Sequence, residues 1–283
     1  MAPMSTEIDT LIRAHRDGFA PGLTPITYEG ECDVPGVDFG ILVQSADVIL
    51  DEKVTKESVW VLLDGAARCI YESTEGDQQR DVARASLFDE APAALHVAAG
   101  TRVRIEAQSP RVEWAVVRTA NDRAFAPRLF VPAEIVPEYR GDGLAQGTCL
   151  RNVRLIFDRK ARPESNLVIG EVVNYPGRWS SYPPHHHAQP EIYHYRFTSP
   201  QGYGHGEVGE SVYKVRQHDT LRIPGNHDHA QVSAPGYGMY YLWIVRHLEN
   251  AAYTGFDFAP EHAWLLDSRA TIWAPKDGPF PGR

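Results

Sequence analysis

One stretch, residues 178–197, restricts the fold of this 283-residue chain more than any other segment. It places His185, His187 and Glu191 within seven residues. Its last part, residues 191–197, reads Glu-Ile-Tyr-His-Tyr-Arg-Phe; aromatic and β-branched side chains without Gly or Pro predict a β-strand. Because side chains alternate between the two faces of a strand, the odd-numbered residues can share one face. That face would carry two imidazoles, a carboxylate and two phenols.

Two imidazoles and one carboxylate on a common wall form a ligand set that suits zinc, manganese or ferrous iron. A fourth ligand is expected from another part of the fold, and His229, at the end of a Pro-Gly-Asn-His-Asp-His sequence, is the candidate. Eight of the twelve histidines lie between residues 185 and 229, which uniform composition would not produce. The alternative interpretation is a histidine-rich exposed loop. Glu191 and the second histidine cluster after a Pro-Gly turn favour the metal site.

Composition argues against several classes of protein. The net charge is −9 and no Lys/Arg block occurs, so nucleic acid is not an expected partner. No apolar run approaches the ~18 residues of a membrane span, and the N-terminus lacks the pattern of a secretory signal. The chain has three cysteines, Cys32, Cys69 and Cys149, which lie far apart in the sequence. An odd number of widely spaced cysteines is typical of reduced, buried thiols. We therefore expect a cytoplasmic protein that binds neither nucleic acid nor membranes.

Most of the chain has the pattern of short β-strands. Apolar runs alternate with Gly-, Asp- and Pro-containing turns every ~8–12 residues, which is typical of sandwiches and barrels. Residues 58–63 predict a buried strand that ends at an Asp64-Gly65 turn, with a new strand from residue 66. No helical crossover pattern lies between the strands, which argues against a parallel α/β fold. His96 is expected to be a hydrogen-bonded core residue rather than a ligand.

The N-terminus carries the one helical pattern that we find. Ile8, Leu11 and Ile12 follow the i, i+3, i+4 spacing, and Gly18 can end the helix. We expect this short helix to pack on the β domain or on a neighbouring subunit.

The second half of the chain repeats the β pattern of the first. Residues 127–150 form a proline-punctuated connector, and strand patterns resume from residue 149. The sequence therefore predicts two β domains of similar length. Residues 1–145 are expected to lack a metal, and residues 146–283 to hold the metal site. Barrel edges and exposed aromatic residues are compatible with a homodimer.

Two local motifs resemble those of the cupins. The His-x-His-x-x-x-Glu motif at residues 185–191 is similar to the first cupin motif, and the Pro-Gly-Asn-His-Asp-His sequence at residues 224–229 is similar to the second. Over a longer range, residues 167–187, which end in Trp-Ser-Ser-Tyr-Pro-Pro-His-His-His, resemble the 5-deoxy-glucuronate isomerase family of myo-inositol catabolism. This resemblance covers most of residues 25–265.

The resemblance implies an all-β, duplicated cupin fold of two jelly-roll barrels, with the metal in the C-terminal barrel. It implies a metal-dependent aldose–ketose isomerase that converts an acidic sugar, most simply 5-deoxy-glucuronate to 5-dehydro-2-deoxy-gluconate. The cofactor would be a divalent metal, with zinc or manganese ahead of iron. By motif, the implied ligands are His185, His187, Glu191 and His229, with His227 as the rival for the last place.

An aldose–ketose isomerase moves a proton from C2 to C1 of an open-chain sugar. It needs a group that accepts this proton, and a divalent metal would polarise the carbonyl. The sequence does not identify the base. The predicted catalytic residues are Glu191, Tyr193 and Tyr241. The predicted substrate-binding residues are Arg178, Tyr182, Tyr195, Lys214 and Arg222.

The chain departs from the family pattern at several places around the motifs. The family usually has Asn at the position of Arg178 and a longer loop at residues 188–190. Arg178 either serves an anionic group or pairs with a surface acid, so the sugar substrate stays open. Two alternatives belong to other classes. The first is another metal-dependent cupin enzyme, either an isomerase of a different acidic sugar or a ferrous oxygenase, and only the oxygenase would need oxygen. The second is a non-catalytic sugar-binding cupin, which would bind its ligand without turnover.

Overall fold

The regular secondary structure of the protein is β-strand apart from three short 3₁₀ turns, over the residues described below. A computed structural model describes residues 10–30, 36–46, 48–267 and 269–276. Within these ranges there is no α-helix, and the helical segments are 3₁₀ turns at Pro132–Glu134, Leu144–Gly147 and Ala263–Leu266. The strands of the described ranges are β1 (Leu11–Ile12), β2 (Gly22–Thr27), β3 (Asp38–Ser45), β4 (Ile49–Lys53), β5 (Glu57–Tyr71), β6 (Gln78–Arg84), β7 (Ala94–Val97), β8 (Arg102–Ala107), β9 (Arg111–Thr119), β10 (Arg128–Phe130), β11 (Glu138–Arg140), β12 (Arg151–Phe157), β13 (Leu167–Asn174), β14 (Trp179–His186), β15 (Glu191–Phe197), β16 (Tyr203–Val208), β17 (Ser211–Arg216), β18 (Thr220–Ile223), β19 (His229–Ser233), β20 (Met239–Arg246) and β21 (Asp257–Phe258).

These strands form three antiparallel sheets. The seven-stranded sheet has the order β1-β18-β15-β20-β13-β12-β11, and the five-stranded sheet has the order β17-β16-β19-β14-β21. The nine-stranded sheet contains β10-β7-β5-β9-β3-β2, with β6 and β8 paired to β5, and β4 paired to β8. The antiparallel pairing agrees with the absence of helical crossovers in the sequence.

Three apolar clusters fill the space between the sheets. One is built from strands of the nine-stranded sheet alone and includes the buried Trp60. A second, which includes Tyr193 and Val215, lies between the seven-stranded and five-stranded sheets. The third joins Phe39 of β3 to Ile244 of β20, so the nine-stranded sheet packs on the outer face of the seven-stranded sheet. This is the all-β, two-barrel architecture that the sequence predicted.

The predicted N-terminal helix is wrong where the structure describes it. Leu11 and Ile12 form β1, which pairs with Leu221 and Thr220 of β18; residues 1–9 lie outside the described residues. Leu11 is buried in the apolar cluster between the seven-stranded and five-stranded sheets. Tertiary pairing therefore overrides a weak local helical pattern.

The predicted turn at Asp64-Gly65 is also wrong. β5 continues through both residues for 15 residues, with a register shift against β9 between Leu62 and Asp64. Gly65 has a φ of +94°, and a Cβ there would lie 2.4 Å from the Arg111 carbonyl oxygen. The dipeptide therefore forms a bulge that redirects β5 from one set of partner strands to the next, rather than a hairpin.

β15 is buried on both faces, and this places the predicted site. Its odd-numbered residues face the five-stranded sheet, where Tyr193 and Tyr195 join the enclosed apolar cluster. Its even-numbered residues face the nine-stranded sheet, where Ile192 packs and the His194 ring lies 5.3 Å from the Phe39 ring. The face of β15 with the odd-numbered residues therefore carries the candidate site residues. The opposite face packs against the nine-stranded sheet.

The division of the chain into residues 1–145 and 146–283 stays a prediction. Two strands that precede this boundary pair with strands that follow it, since β1 pairs with β18 and β11 pairs with β12. The two halves are therefore connected by hydrogen-bonded strands as well as by the apolar layer between the sheets.

Three other expectations can be compared with the structure. The prediction that His96 is a hydrogen-bonded core residue is confirmed, because its buried Nε2 lies 2.9 Å from Glu57 Oε1. Cys69 and Cys149 are free and buried, and Cys32 lies outside the described residues. No helix of the described residues is long and apolar enough to cross a membrane.

Candidate metal centre

The structure brings three of the four predicted metal ligands into one cluster. The ligand atoms of His187, Glu191 and His229 all lie within 4.8 Å of one another. Glu191 Oε2 is 3.4 Å from His187 Nε2 and 3.3 Å from His229 Nε2. All three side chains are buried. A single cation at this point would have two imidazoles and a carboxylate as ligands.

The cluster lies where the two sheets of the second barrel meet. Glu191 is the first residue of β15 in the seven-stranded sheet, and His229 is the first residue of β19 in the five-stranded sheet. His187 directly follows β14, and its carbonyl accepts a 2.7 Å hydrogen bond from the Asn226 N–H. This bond ties the loop after the first histidine motif to the turn before His229, so both motifs reach the same point.

His185, the fourth predicted ligand, lies beside the cluster. It is paired directly opposite His229 in the ladder between β14 and β19, and the two rings are 4.3 Å apart. Its Nδ1 is 3.2 Å from the Ser181 carbonyl oxygen. The rival ligand His227 is exposed, with Nδ1 3.0 Å from the Gly225 carbonyl oxygen. The geometry therefore places His229, and not His227, next to Glu191.

The geometry of the contact between His229 and Glu191 is compatible with a bound cation. His229 Nδ1 lies 3.0 Å from the His227 carbonyl oxygen, so it carries the ring proton and donates it there. Nε2 then presents a lone pair to a carboxylate oxygen, and among the described residues it has no hydrogen-bond partner. Two facing acceptors in a buried site are unfavourable unless a positive charge lies between them. A backbone carbonyl that fixes the tautomer of a ligand is a common feature of metal sites.

The protonation states of the site residues are also those that metal binding requires. Burial alone would raise the pKa of Glu191, but the neighbouring imidazoles of His187 and His229 lower it to about 2. Burial, and then the neighbouring His229, hold the pKa of His185 well below its usual range. At neutral pH the site therefore presents an ionised carboxylate and a neutral imidazole, as metal ligation requires.

The cluster opens into a cavity of about 600 Å³ between the strands of the second barrel. Tyr193 and Tyr241 form part of its wall, with their rings stacked 4.6 Å apart. The Tyr241 hydroxyl is 2.6 Å from Ser180 Oγ and 3.3 Å from Ser181 Oγ. Burial raises the pKa of both phenols, so they are protonated and can donate hydrogen bonds at neutral pH. The predicted catalytic residues Glu191, Tyr193 and Tyr241 thus share one cavity.

The five predicted substrate-binding residues do not line this cavity. Arg178 donates a 2.8 Å hydrogen bond to the Gly147 carbonyl oxygen, and the Tyr182 ring lies 5.1 Å from the Trp179 ring. Tyr195 is inside the barrel, but its hydroxyl donates to Gln231 Oε1 at 2.6 Å. Lys214 is exposed, with its Nζ 4.1 Å from the Tyr203 ring centre, and Arg222 is buried in β18 with its N–H bonded to the Thr10 carbonyl.

The cavity contains residues that sequence reasoning missed. Arg151 at the start of β12 and Tyr253 before β21 both line it, and the Tyr253 ring lies 4.9 Å from the His187 ring. One signal was available for Arg151, because alternation in β12 places it on the same face as Val153 and Leu155, which also line the cavity. Tyr253 is in an irregular segment that carries no such pattern. The remaining cations of the wall are Arg140, Arg159 and Lys160.

Comparison with solved structures identifies the fold. The chain is similar to an IolB-like protein from Salmonella typhimurium LT2, with a TM-score of 0.75, 22% identity and coverage of 88% of this chain and 97% of that chain. It is also similar to a cupin 2 conserved barrel domain protein from Leptotrichia buccalis, with a TM-score of 0.52, 15% identity and coverage of 86% and 98%. The chain therefore has the cupin fold, duplicated into two barrels.

Within the cupins, the chain belongs to the KduI/IolB family, whose model matches residues 23–265. A curated relative from Geobacillus kaustophilus (strain HTA426), named 5-deoxy-glucuronate isomerase, is 28% identical over 235 residues, which cover 77% of this chain and 81% of that protein. The family resemblance that the motifs predicted is confirmed.

Proposed function

We propose that the protein is a metal-dependent aldose–ketose isomerase that converts 5-deoxy-glucuronate to 5-dehydro-2-deoxy-gluconate in myo-inositol catabolism. The observation that carries the proposal is the match of residues 23–265 to the KduI/IolB family, in a chain whose His187, Glu191 and His229 form one cluster and whose Glu191 lines a cavity. Relatives named 5-deoxy-glucuronate isomerase support the same substrate.

His187, Glu191 and His229 would hold the metal, with His185 next to them as the fourth predicted ligand. Zinc, manganese and ferrous iron all accept this donor set. A divalent metal bound there would supply Lewis-acid polarisation of the sugar carbonyl. The buried position of the ligands excludes bulk water from their side of the cavity.

The protein's own groups would bind the sugar and move the proton. Of the three predicted catalytic residues, Glu191 is the one that is ionised at neutral pH, and we assign it as the acceptor of the C2 proton. Tyr193 and Tyr241 keep their protons and would donate hydrogen bonds to sugar oxygens. Ser180, bonded to the Tyr241 hydroxyl, fixes the direction of that phenol.

The test is to incubate metal-loaded protein with 5-deoxy-D-glucuronate in D2O and to follow the sugar by proton NMR. We expect a ketose product, with deuterium at C1 if the proton exchanges with solvent during transfer. The Glu191→Gln variant should show no product above background. An oxygen-free sample separates this function from that of an oxygenase, since an isomerase turns over equally well without oxygen. Absence of conversion by the metal-loaded wild type would contradict the proposal.

A further inference from the structure

A guanidinium without a counter-charge lies in the wall of the cavity. Arg151 is half-buried, and its Nη1 donates a 3.0 Å hydrogen bond to the Cys149 carbonyl oxygen. Among the described residues, no carboxylate lies within ion-pairing distance of it. Its neighbours are neutralised, since Arg140 is 2.7 Å from Glu138 and Arg154 is 2.9 Å from Glu171.

An unpaired, half-buried charge is costly for the folded protein. Burial lowers the pKa of Arg151, while the phenol of Tyr241 acts in the opposite direction and Arg140 adds to the lowering. A guanidinium in this position stays charged, and it lacks an anion. A ligand that brings a carboxylate into the cavity would supply that anion in a bidentate arrangement.

The position of the guanidinium is fixed before any ligand arrives. Gly141 has a φ of +78°, and a Cβ at this residue would lie 2.8 Å from Arg151 Nη1 and 2.2 Å from the Cys149 carbonyl oxygen. Only a residue without a side chain allows the backbone to close over the arginine here. The arginine is therefore held by backbone on one side and faces the cavity on the other, which reduces the entropy lost on binding.

Arg151 and Glu191 of the histidine–glutamate cluster line the same cavity and lie at opposite ends of the strands of one sheet. Glu191 is on β15 and Arg151 on β12, with β20 and β13 between them in the sheet. Three strand spacings and a register offset of six residues along the strands together separate their backbones by about 25 Å. Both side chains line the space between, and a sugar acid likewise carries its carbonyl and its carboxylate at opposite ends.

We propose that Arg151 binds the carboxylate of the substrate and thereby directs its carbonyl end to His187, Glu191 and His229. The proposal rests on the proposed function for the identity of the reaction, but the carboxylate subsite is defined by Arg151 itself. The exposed cations Arg159 and Lys160 at the cavity would attract the anion without fixing it. Selectivity for uronates over neutral sugars would then depend on one residue.

The test measures binding rather than turnover. Dissociation constants for D-glucuronate and for D-glucose, which has a hydroxymethyl group in place of the carboxylate, are measured by calorimetry on the metal-loaded protein. We expect glucuronate to bind the wild type about 10- to 100-fold more tightly, the range for a hydrogen bond to a charged group. Arg151→Met should remove this preference, and Arg151→Lys should restore part of it. Arg80→Met, which removes an exposed arginine of β6, is the matched control and should keep the preference.

Each outcome decides a separate question. A folded Arg151→Met variant that still prefers glucuronate, or a wild type without the preference, would overturn the subsite whatever the isomerase assay shows. An Arg151-dependent preference in a protein that does not isomerise 5-deoxy-glucuronate would keep the subsite and refute the proposed reaction. If Arg151→Met fails to fold, Arg151→Gln, which keeps a hydrogen-bond donor for the Cys149 carbonyl, gives the same comparison.

Discussion

At the scale of single residues, the contact between the His229 lone pair and the Glu191 carboxylate is the most informative feature of the molecule. His229 Nε2 lies 3.3 Å from Glu191 Oε2 and has no hydrogen-bond partner among the described residues. A cation between the two groups would neutralise the carboxylate and bind the lone pair, so the loss of either group should be seen first in metal content.

We therefore predict that His229→Ala loses its metal. The metal affinity should fall by at least ~100-fold, since the loss of outer-shell partners alone costs about 10–100-fold. Metal stoichiometry after dialysis, measured by atomic emission, checks this. His227→Ala is the matched control, because His227 is exposed two residues earlier and should keep the metal. The reverse pattern would show that the ligand assignment is wrong.

The phenol of Tyr241 offers a second test at this scale. Tyr241→Phe removes the hydroxyl that lies 2.6 Å from Ser180 while keeping the stacked ring. We expect kcat to fall by ~10²-fold, the lower range for the loss of a positioned proton donor, with little change in melting temperature. Steady-state kinetics with 5-deoxy-glucuronate measures it. Tyr203→Phe, on the five-stranded sheet, should retain wild-type kcat.

Sequence patterns identify the site residues that are close to one another in the sequence, and they miss those that only the fold brings together. His187 and Glu191 are four residues apart, so their proximity follows from local geometry and the motif predicts it. Arg151 and Tyr253 come from segments far apart in sequence, and they meet the site because β12 and the segment before β21 lie beside it in the fold. Arg178 was a candidate because it is close in sequence, but its side chain turns to the Gly147 carbonyl.

At the scale of elements, β5 shows that an Asp-Gly dipeptide is compatible with either a hairpin turn or a β-bulge. Asp-Gly supplies a residue that accepts positive φ, which both a hairpin turn and a bulge require. The sequence around it cannot decide between them, because the choice depends on whether partner strands exist on both sides. Here β9 and β7 pair with the first part of β5, and β6 and β8 pair with the second. The helix predicted around Leu11 failed for a similar reason, since its partner, β18, is about 200 residues away.

Gly65 should be far more sensitive to substitution than another glycine with the same backbone angle. Gly65→Ala places a methyl group 2.4 Å from the Arg111 carbonyl oxygen, whereas Gly76 also has a φ of +94° but has nothing within 4 Å. Both substitutions carry a left-handed backbone cost of about 1 kcal/mol. Gly65→Ala should add a steric penalty of about 1–3 kcal/mol. Urea unfolding of both variants measures the difference, and equal losses would contradict the bulge geometry.

At the scale of the whole molecule, a buried ionic group connects the two halves. Glu171 of β13 accepts hydrogen bonds from Arg84 at 2.7 and 3.0 Å, from Arg154 at 2.9 Å and from the Tyr240 hydroxyl at 3.0 Å. Arg84 belongs to β6 of the nine-stranded sheet, and its guanidinium also donates to the Leu62 carbonyl. One carboxylate therefore fixes two cations from different sheets.

Glu171→Gln should lower the free energy of unfolding by about 3–5 kcal/mol, because it leaves two buried guanidinium groups without a counter-charge. Guanidinium chloride unfolding, followed by tryptophan fluorescence and by circular dichroism, measures the loss and shows whether both probes still change together. Asp81→Asn, which breaks the exposed pair with Arg68, is the control and should change little. An equal effect of the two variants would argue against the central role of Glu171.

Buried neutral histidines predict how stability depends on pH. Burial lowers the pKa of His96, although its hydrogen bond to Glu57 acts in the opposite direction, and burial also lowers the pKa of His194. In the unfolded chain these groups titrate near pH ~6.5. The unfolded state then binds more protons below that pH, so the free energy of unfolding should fall as the pH decreases from about 6.5 and stay level above it. Urea titrations of metal-free protein from about pH 5 to pH 8 test this, and greater stability in acid would contradict it.

The pairing of β1 with β18 has a consequence for how the chain is made. Arg16 donates two hydrogen bonds, of 2.7 and 2.6 Å, to Asp219, which lies 203 residues further along. β1 therefore has no partner until β18, in the second barrel, has been synthesised. Since β18 is the neighbour of β15, a strand made about 200 residues earlier completes the sheet that presents Glu191. The metal-binding barrel can thus reach its final form only when β1 is still free to pair after β18 has been made.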